Sequence, residues 1–73
     1  MIKLVHSGSV FDDPRRNIVV SDGEQTLTTL AMQVEDHAYW CEWKFIAWGK
    51  EYVMRQELYL DERYGTCSRF FIK

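Results

Sequence analysis

The chain has 73 residues, of which 47% are hydrophobic and 27% charged, and its net charge is −2. This length supplies one hydrophobic core, so we expect a single domain over residues 1–73. The apolar content excludes an intrinsically disordered chain, which combines low hydrophobicity with high net charge. The nine Lys and Arg residues are scattered among eleven acids. The sequence therefore lacks the basic face typical of proteins that bind nucleic acids through the phosphate backbone.

The hydrophobic segments predict no membrane span, because none approaches the roughly 20 apolar residues that a transmembrane helix needs. Residues 1–6 lack the long apolar segment and the small-residue cleavage site of a signal peptide. Without a secretion signal, the two cysteines, Cys41 and Cys67, are expected to be reduced thiols. We therefore expect a cytoplasmic protein.

The first predicted elements are two strands separated by a turn. Residues 2–6 have strand character, and the β-branched run 17–20 predicts a second strand. Between them, Asp12-Asp13-Pro14 is a turn signal, because proline fixes φ and the preceding residue favours an extended shape. Adjacent arginines, Arg15 and Arg16, follow this turn and could present bidentate donors to a partner's carboxylates. A solvated loop is the alternative.

Residues 21–34 carry two conflicting signals. Asp22-Gly23 is typical of a hairpin turn, whereas Ser21 with Glu24 three residues later forms a capping box that would begin a helix. The residues that follow have the helical spacing i, i+3, i+4 and i+7 in Leu27, Leu30, Ala31 and Val34. This spacing predicts a helix over residues 22–34, although three threonines within 26–29 weaken it, because β-branched residues lose rotamer freedom in helices.

Residues 39–60 predict a β-hairpin, because the hydrophobic alternation agrees on both of its arms. With a two-residue turn at 49–50, residues whose numbers sum to 99 lie opposite one another. One face is then apolar and consists of Tyr39, Cys41, Trp43, Phe45 and Ala47 opposite Leu60, Leu58, Gln56, Met54 and Tyr52. The other face is mixed and consists of Trp40, Glu42, Lys44, Ile46 and Trp48 opposite Tyr59, Glu57, Arg55, Val53 and Glu51.

A helix over residues 37–48 is a rival interpretation, but it would be apolar on nearly every side and would need more burial than this chain supplies. Residues 67–72 predict a last strand. The sum is an α+β fold: a small antiparallel sheet of four to five strands with one short helix packed on one face. The 22–34 helix would cover the apolar hairpin face that contains Tyr39, Trp43 and Phe45.

The candidate metal ligands do not have metal-binding spacing. Structural zinc sites favour close pairs of ligands, and of His6, His37, Cys41 and Cys67 only His37 and Cys41 are close in sequence. On a strand, four residues span roughly 13 Å. The acidic pairs fall in predicted turns, and Cys41 faces the predicted core, where a thiol is inert. We therefore expect no catalytic residues, no metal and no cofactor.

The mixed hairpin face is a candidate binding surface. Its aromatic residues Trp40, Trp48 or Tyr59 could stack on single-stranded nucleic acid, with Lys44 and Arg55 near the nucleic-acid backbone. Three glutamates on the same face would repel phosphates, so a protein interface is favoured, for which Trp, Tyr and Arg are typical contact residues. Packing of this face beneath a terminal strand is nearly as good an interpretation.

Residues 2–6 could also form an edge strand, in which Lys3 guards against aggregation and Val5 lies nearby. Such a strand could add to the edge of a partner's sheet. The residues that we predict to contact a protein partner are Lys3, Val5, Arg15, Arg16, Trp40 and Tyr59.

The whole chain, from MIKLVHSGSVFDDPRR to CSRFFIK, resembles the small transcription inhibitors and antiterminators that lytic phages, among them a Xanthomonas phage, direct against bacterial RNA polymerase. The resemblance is one of length and overall sequence character over all 73 residues. It implies a non-enzymatic protein, expected to be a monomer in the host bacterial cytoplasm, that binds the large catalytic subunits of the polymerase.

Such a protein would inhibit promoter-dependent initiation by interfering with the sigma-containing holoenzyme, and it would allow read-through of terminators. The resemblance assigns no individual contact residue. The alternative function is a small nucleic-acid-binding module that uses the aromatic hairpin, although direct nucleic-acid binding is the less favoured expectation.

Overall fold

The computed structural model describes residues 1–8 and 14–73, and the described part of the chain contains strands and turns but no helix. The predicted α+β fold is therefore wrong, and the protein is all-β. The described residues form six strands rather than the predicted four or five: β1 (Lys3–Ser7), β2 (Arg15–Ser21), β3 (Thr26–Asp36), β4 (Trp40–Ala47), β5 (Lys50–Asp61) and β6 (Gly65–Ile72).

The six strands form one antiparallel sheet in which each strand pairs with the next one along the chain. The sheet curls into a nearly closed barrel, so that β1 and β6, its first and last strands, come close to each other. Within the described residues, no backbone ladder joins these two strands. The prediction that the N-terminal strand lies at a sheet edge is thus confirmed.

The predicted helix over 22–34 is replaced by a turn and by β3. The Asp22 carboxylate accepts hydrogen bonds from the backbone N–H groups of Gln25 and Glu24, at 2.7 and 2.8 Å, and these bonds lower the pKa of Asp22. The four apolar residues at helical spacing divide between the two faces of the strand: Leu27 and Ala31 pack in the core, while Leu30 and Val34 are exposed. The β-branched threonines and the Asp22-Gly23 turn were the better signals.

The hairpin of β4 and β5 exists, but its predicted register is wrong by two residues. Ala47 pairs with Lys50, and Trp43 pairs with Met54, so opposite residues sum to 97. The turn is Trp48-Gly49, with φ of 50° and 72°. Positive φ at both central residues is the type I′ geometry that matches the twist of paired strands. A shift of two residues preserves which face each side chain occupies.

The core lies inside the barrel, so the strands bury one another and no covering helix is needed. The buried apolar residues are Ile18, Val20, Ala31, Trp43, Phe45, Ala47 and Met54. The predicted burial of Trp43, Phe45 and Met54 is confirmed. The predicted burial of Tyr39 and Leu60 is wrong, because their exposed fractions are 76% and 84%.

Candidate functional site

The predicted contact residues on β1 and β2 are not brought together. Lys3 and Val5 are exposed on β1, and Lys3 pairs with Ser21 at the end of β2. Arg15 lies at the other end of β2, six residues away from Ser21, which is about 20 Å along an extended strand. The fold therefore separates them into two surfaces. The predicted turn at Asp12-Asp13-Pro14 lies mostly outside the described residues.

Arg16 points to the inner face of the barrel, unlike its neighbour Arg15. Its guanidinium carbon lies 4.8 Å from the ring centroid of Trp43 and 5.8 Å from that of Phe70. The side chain is half-buried, and this contact combines apolar packing with cation–π attraction. The alternation along β2 could have predicted this placement, because residues two apart on a strand point to the same face, and Arg16 shares its face with the core residues Ile18 and Val20.

The indole of Trp40 is covered by side chains from both neighbouring strands of β4. The imidazole of His37, just after β3, stacks on it with ring centroids 4.0 Å apart. From β5, the guanidinium carbon of Arg55 lies 4.0 Å from the ring centroid. The ring is therefore engaged within the chain, which reduces the surface that it offers to a nucleobase.

A network of charges surrounds this tryptophan on the outer face. Arg55 Nε donates to Glu57 Oε2 at 3.0 Å, and Arg55 Nη1 lies 3.7 Å from Glu42 Oε2. The ammonium group of Lys73 also forms an ion pair with Glu42. The contact with Lys73, assisted by Arg55, holds the pKa of the Glu42 carboxyl below its ordinary value. This part of the mixed face is an internally paired network.

Tyr59, the other predicted aromatic contact, lies farther along the outer face of β5. Its ring is covered by Arg69 of β6, whose guanidinium carbon is 4.4 Å from the ring centroid. Both predicted aromatic contacts thus have a cation from a neighbouring strand against the ring. As contacts with a partner, all six predicted residues remain predictions, and the structure distributes them over several surfaces.

Three residues of the apolar hairpin face that the sequence assigned to the core, namely Tyr39, Leu58 and Leu60, are exposed in the structure. An open groove of about 490 Å³ lies where β5 and β6 extend past β4. Its walls are mainly apolar and consist of Ala38, Tyr39, Leu58, Tyr59, Leu60 and Thr66. We call it the hairpin-end groove.

The hairpin-end groove exists because β5 is longer than its partner β4. The ladder between these strands ends at Trp40 and Glu57, after which the backbone N–H of Leu58 still donates to the carbonyl oxygen of Tyr39 at 2.9 Å. The inner-face residues of β5 become progressively exposed along this extension, from 0% at Met54 to 40% at Leu58 and 84% at Leu60.

Alternation predicted the correct face for Leu58 and Leu60 but not where the covering strands end. The signal that could have identified the groove is the length of β5, which has 12 residues against 8 in its partner β4. Contiguous exposed apolar surface of this kind marks binding sites for proteins or other apolar ligands.

The titratable groups outside the charge network are dispersed. Among the described residues, no three His, Cys, Asp or Glu side chains lie close enough together to hold a metal ion. Cys41 and Cys67 are free thiols, and Cys41 Sγ contacts Gln56 Oε1 at 3.2 Å, which also accepts from Trp43 Nε1 at 3.3 Å. Within residues 1–8 and 14–73, no helix is long and apolar enough to cross a membrane.

In the described ranges 1–8 and 14–73, six consecutive strands form a small, nearly closed antiparallel barrel with an exposed apolar end. Comparison with protein-family models, with curated proteins and with solved structures gave no match for this chain.

Proposed function

We propose that this protein is a non-enzymatic transcription regulator of phage origin that binds bacterial RNA polymerase in the host cytoplasm. It would inhibit initiation and allow read-through of terminators. The identity of the partner is supported by the resemblance of the whole sequence to phage-encoded polymerase inhibitors. A role in docking to a protein is supported independently by the hairpin-end groove.

The observation that carries the docking role is the exposure of Tyr39, Leu58 and Leu60 on one continuous face. In a small barrel the inner face of each strand is normally covered by the other strands. Here β4 ends before the β5–β6 hairpin does, so the inner face of that hairpin is left open. Apolar and aromatic side chains at the centre of an interface contribute most of the binding free energy. Three charged residues, Asp61, Glu62 and Arg63, directly follow Leu60 in the chain. They suit the polar rim of such an interface.

The experiment is a binding titration of the full chain against purified bacterial RNA polymerase, as core enzyme and as sigma-containing holoenzyme. Leu60→Ser and Tyr39→Ser remove apolar surface from the groove, and Ile46→Ser is the matched control on the outer face, where Ile46 is 62% exposed. We expect each groove variant to weaken polymerase binding by about tenfold or more, which corresponds to roughly 1.4 kcal/mol.

The control should bind as tightly as the unmodified chain. Absence of binding by the unmodified chain at micromolar concentration would refute the proposed partner. Binding that survives both groove substitutions would leave the partner in place but refute the groove as its docking site.

Transcription assays in vitro test the regulatory effect. The unmodified chain should reduce promoter-dependent initiation by holoenzyme and increase the fraction of transcripts that pass a terminator, and Leu60→Ser should do neither at the same concentration. Unchanged initiation and termination at saturating protein would contradict the regulatory role even if binding were observed.

Nucleic-acid binding through the aromatic hairpin is the alternative function, and the side-chain arrangement disfavours it. The rings of Trp40 and Tyr59 are covered by Arg55 and Arg69, and Glu42 and Glu57 lie on the same face. A titration with labelled single strands at two salt concentrations distinguishes the two functions. Tight binding that weakens steeply with salt would favour the alternative, because it reports phosphate contacts.

A further inference from the structure

A second open surface is the cleft between β1 and β6, the first and last strands of the sheet. It has a volume of about 510 Å³ and is lined by Met1, Ile2, Lys3, Leu4, Ser68, Arg69, Phe70 and Ile72. We call it the β1–β6 cleft. It is separate from the hairpin-end groove, with which it shares no lining residue.

The floor of the β1–β6 cleft is apolar on both sides. Ile2 and Leu4 from the N-terminal side, and Phe70 and Ile72 from β6, are half-buried and pack against the hydrophobic core. Their outer surfaces therefore form an apolar strip that continues the core up to the cleft. An extended segment lying along the strip would bury this surface further.

No backbone ladder among the described residues joins the facing edges of β1 and β6. Within residues 1–8 and 14–73, β1 forms its ladder with β2, and β6 forms its ladder with β5. One edge of each strand therefore faces the cleft without a ladder partner among the described residues. Unpaired edges of this kind are templates for the addition of another strand.

The charged residues at the cleft have one sign. Lys3 and Arg69 both line it and are exposed, and no Asp or Glu side chain lines it. In the described part of the chain, neither cation forms an ion pair, and Arg69 rests on the ring of Tyr59. This local positive charge contrasts with the net charge of −2 of the whole chain. It favours carboxylates in whatever occupies the cleft.

We propose that the β1–β6 cleft binds an extended segment of a protein partner in which apolar residues alternate with Asp or Glu. Side chains of a strand point alternately to its two faces. The apolar side chains would contact the strip, the carboxylates would contact Lys3 and Arg69, and the segment's backbone would pair with β1 or β6. The inference rests on the proposed function only in that the partner is a protein.

The experiment measures fluorescence anisotropy of labelled ten-residue peptides titrated with the full chain. The probe alternates Val and Glu, and three comparison peptides change one property each. The first replaces Glu by Lys, the second has the same composition with the Val and Glu residues in separate blocks, and the third carries N-methyl groups on the backbone. We expect saturable binding of the probe and at least tenfold weaker binding of all three comparison peptides.

Variants of the protein complete the test. The double substitution Lys3→Glu with Arg69→Glu should weaken binding of the probe at least tenfold, whereas Lys50→Glu, an exposed lysine in the β4–β5 turn region, should change it less than twofold. Equal binding of the Lys peptide, of the block peptide or of the N-methylated peptide would overturn the proposal, as would an unaffected double variant.

The peptide assay is independent of the polymerase assay. Binding of the probe without binding of the polymerase would support the cleft and refute the proposed function. Binding of the polymerase without binding of the probe would do the reverse. Hydrogen exchange adds a structural readout, because the probe should slow exchange of those β1 or β6 amides that have no partner in the free chain.

Discussion

Lys73 reaches Glu42 across an intervening strand. Lys73 follows β6, Glu42 lies on β4, and β5 separates these strands in the sheet. The backbone N–H of Lys73 donates to the carbonyl oxygen of Val53 at 2.8 Å, which holds the residue against β5. Its ammonium group then forms the ion pair with Glu42, whose exposed fraction is only 8%. The contact therefore joins three strands on the outer face.

This contact predicts how stability depends on pH. The pKa of Glu42 is lowered from 4.5 in the folded protein, chiefly by Lys73. The unfolded chain therefore binds the proton more readily, so the stabilisation is complete above about pH 4.5 and is lost as the pH falls through the lower folded-state value. In Glu42→Gln, denaturant midpoints should fall less between neutral and acidic pH than in the unmodified chain. Glu51→Gln, at the exposed ion pair with Lys44, is the control, and parallel pH profiles for Glu42→Gln and the unmodified chain would contradict the role of Glu42.

Arg55 should contribute more to stability than an ordinary surface cation. It covers Trp40 and pairs with Glu42 and Glu57, and its side chain is 30% exposed. Arg55→Ala should lower the free energy of unfolding by about 1–2 kcal/mol, because it removes the cation–π contact and leaves two carboxylates with fewer partners. Lys44→Ala, whose ion pair is exposed, should cost less than about 1 kcal/mol. Equal losses in chemical denaturation would argue against the network.

Gly49 tests the type I′ turn. Its φ is 72°, and a Cβ added there would meet no atom within 4 Å. Any penalty for Gly49→Ala is therefore one of backbone conformation, and we expect a loss of about 1–2 kcal/mol in the free energy of unfolding. Gly49→Asn should lose less, since asparagine tolerates this region of φ. An alanine variant as stable as the unmodified chain would be incompatible with the turn.

Two methionines separate the inside of the barrel from the outside. Met54 has an exposed fraction of 0%, whereas Met32 is 44% exposed on the outer face. Met54→Ala should lower the free energy of unfolding by about 2–5 kcal/mol through lost burial and the resulting cavity. Met32→Ala should stay within about 0.5 kcal/mol, which is usual for surface positions. Thermal or urea unfolding measures both losses. Similar losses for the two variants would contradict the placement of Met54 inside the barrel and of Met32 outside it.

The alternation of apolar and polar residues was the most reliable signal in the sequence for which face a side chain occupies. It correctly assigned Trp43 and Phe45 to the inside, because a register error of two residues leaves every side chain on its own face. The helix over 22–34 failed because a four-residue coincidence with helical spacing outweighed three β-branched threonines and a hairpin turn. Burial on the strand is set by the opposite wall of the barrel, which no local pattern shows.

The candidate site was harder to predict than the fold. Tyr39 and Leu60 lie on the predicted face, but their exposure depends on where β4 ends relative to β5. Arg16 was assigned to the surface because it follows a turn signal, although its parity places it over Trp43. The exposure of Tyr39 and Leu60 depends on relative strand lengths, which involve residues distant in sequence, whereas alternation along β2 alone would have placed Arg16 on the inner face.

The order of the strands has a consequence for folding kinetics. Because the ladders of the described residues all join strands that are consecutive in the chain, each hairpin can form from a short stretch of sequence, and the entropic cost of loop closure is low. The long-range approach of β1 to β6 contributes no ladder in the described residues. We therefore expect this barrel to refold faster than all-β domains whose sheets pair distant strands.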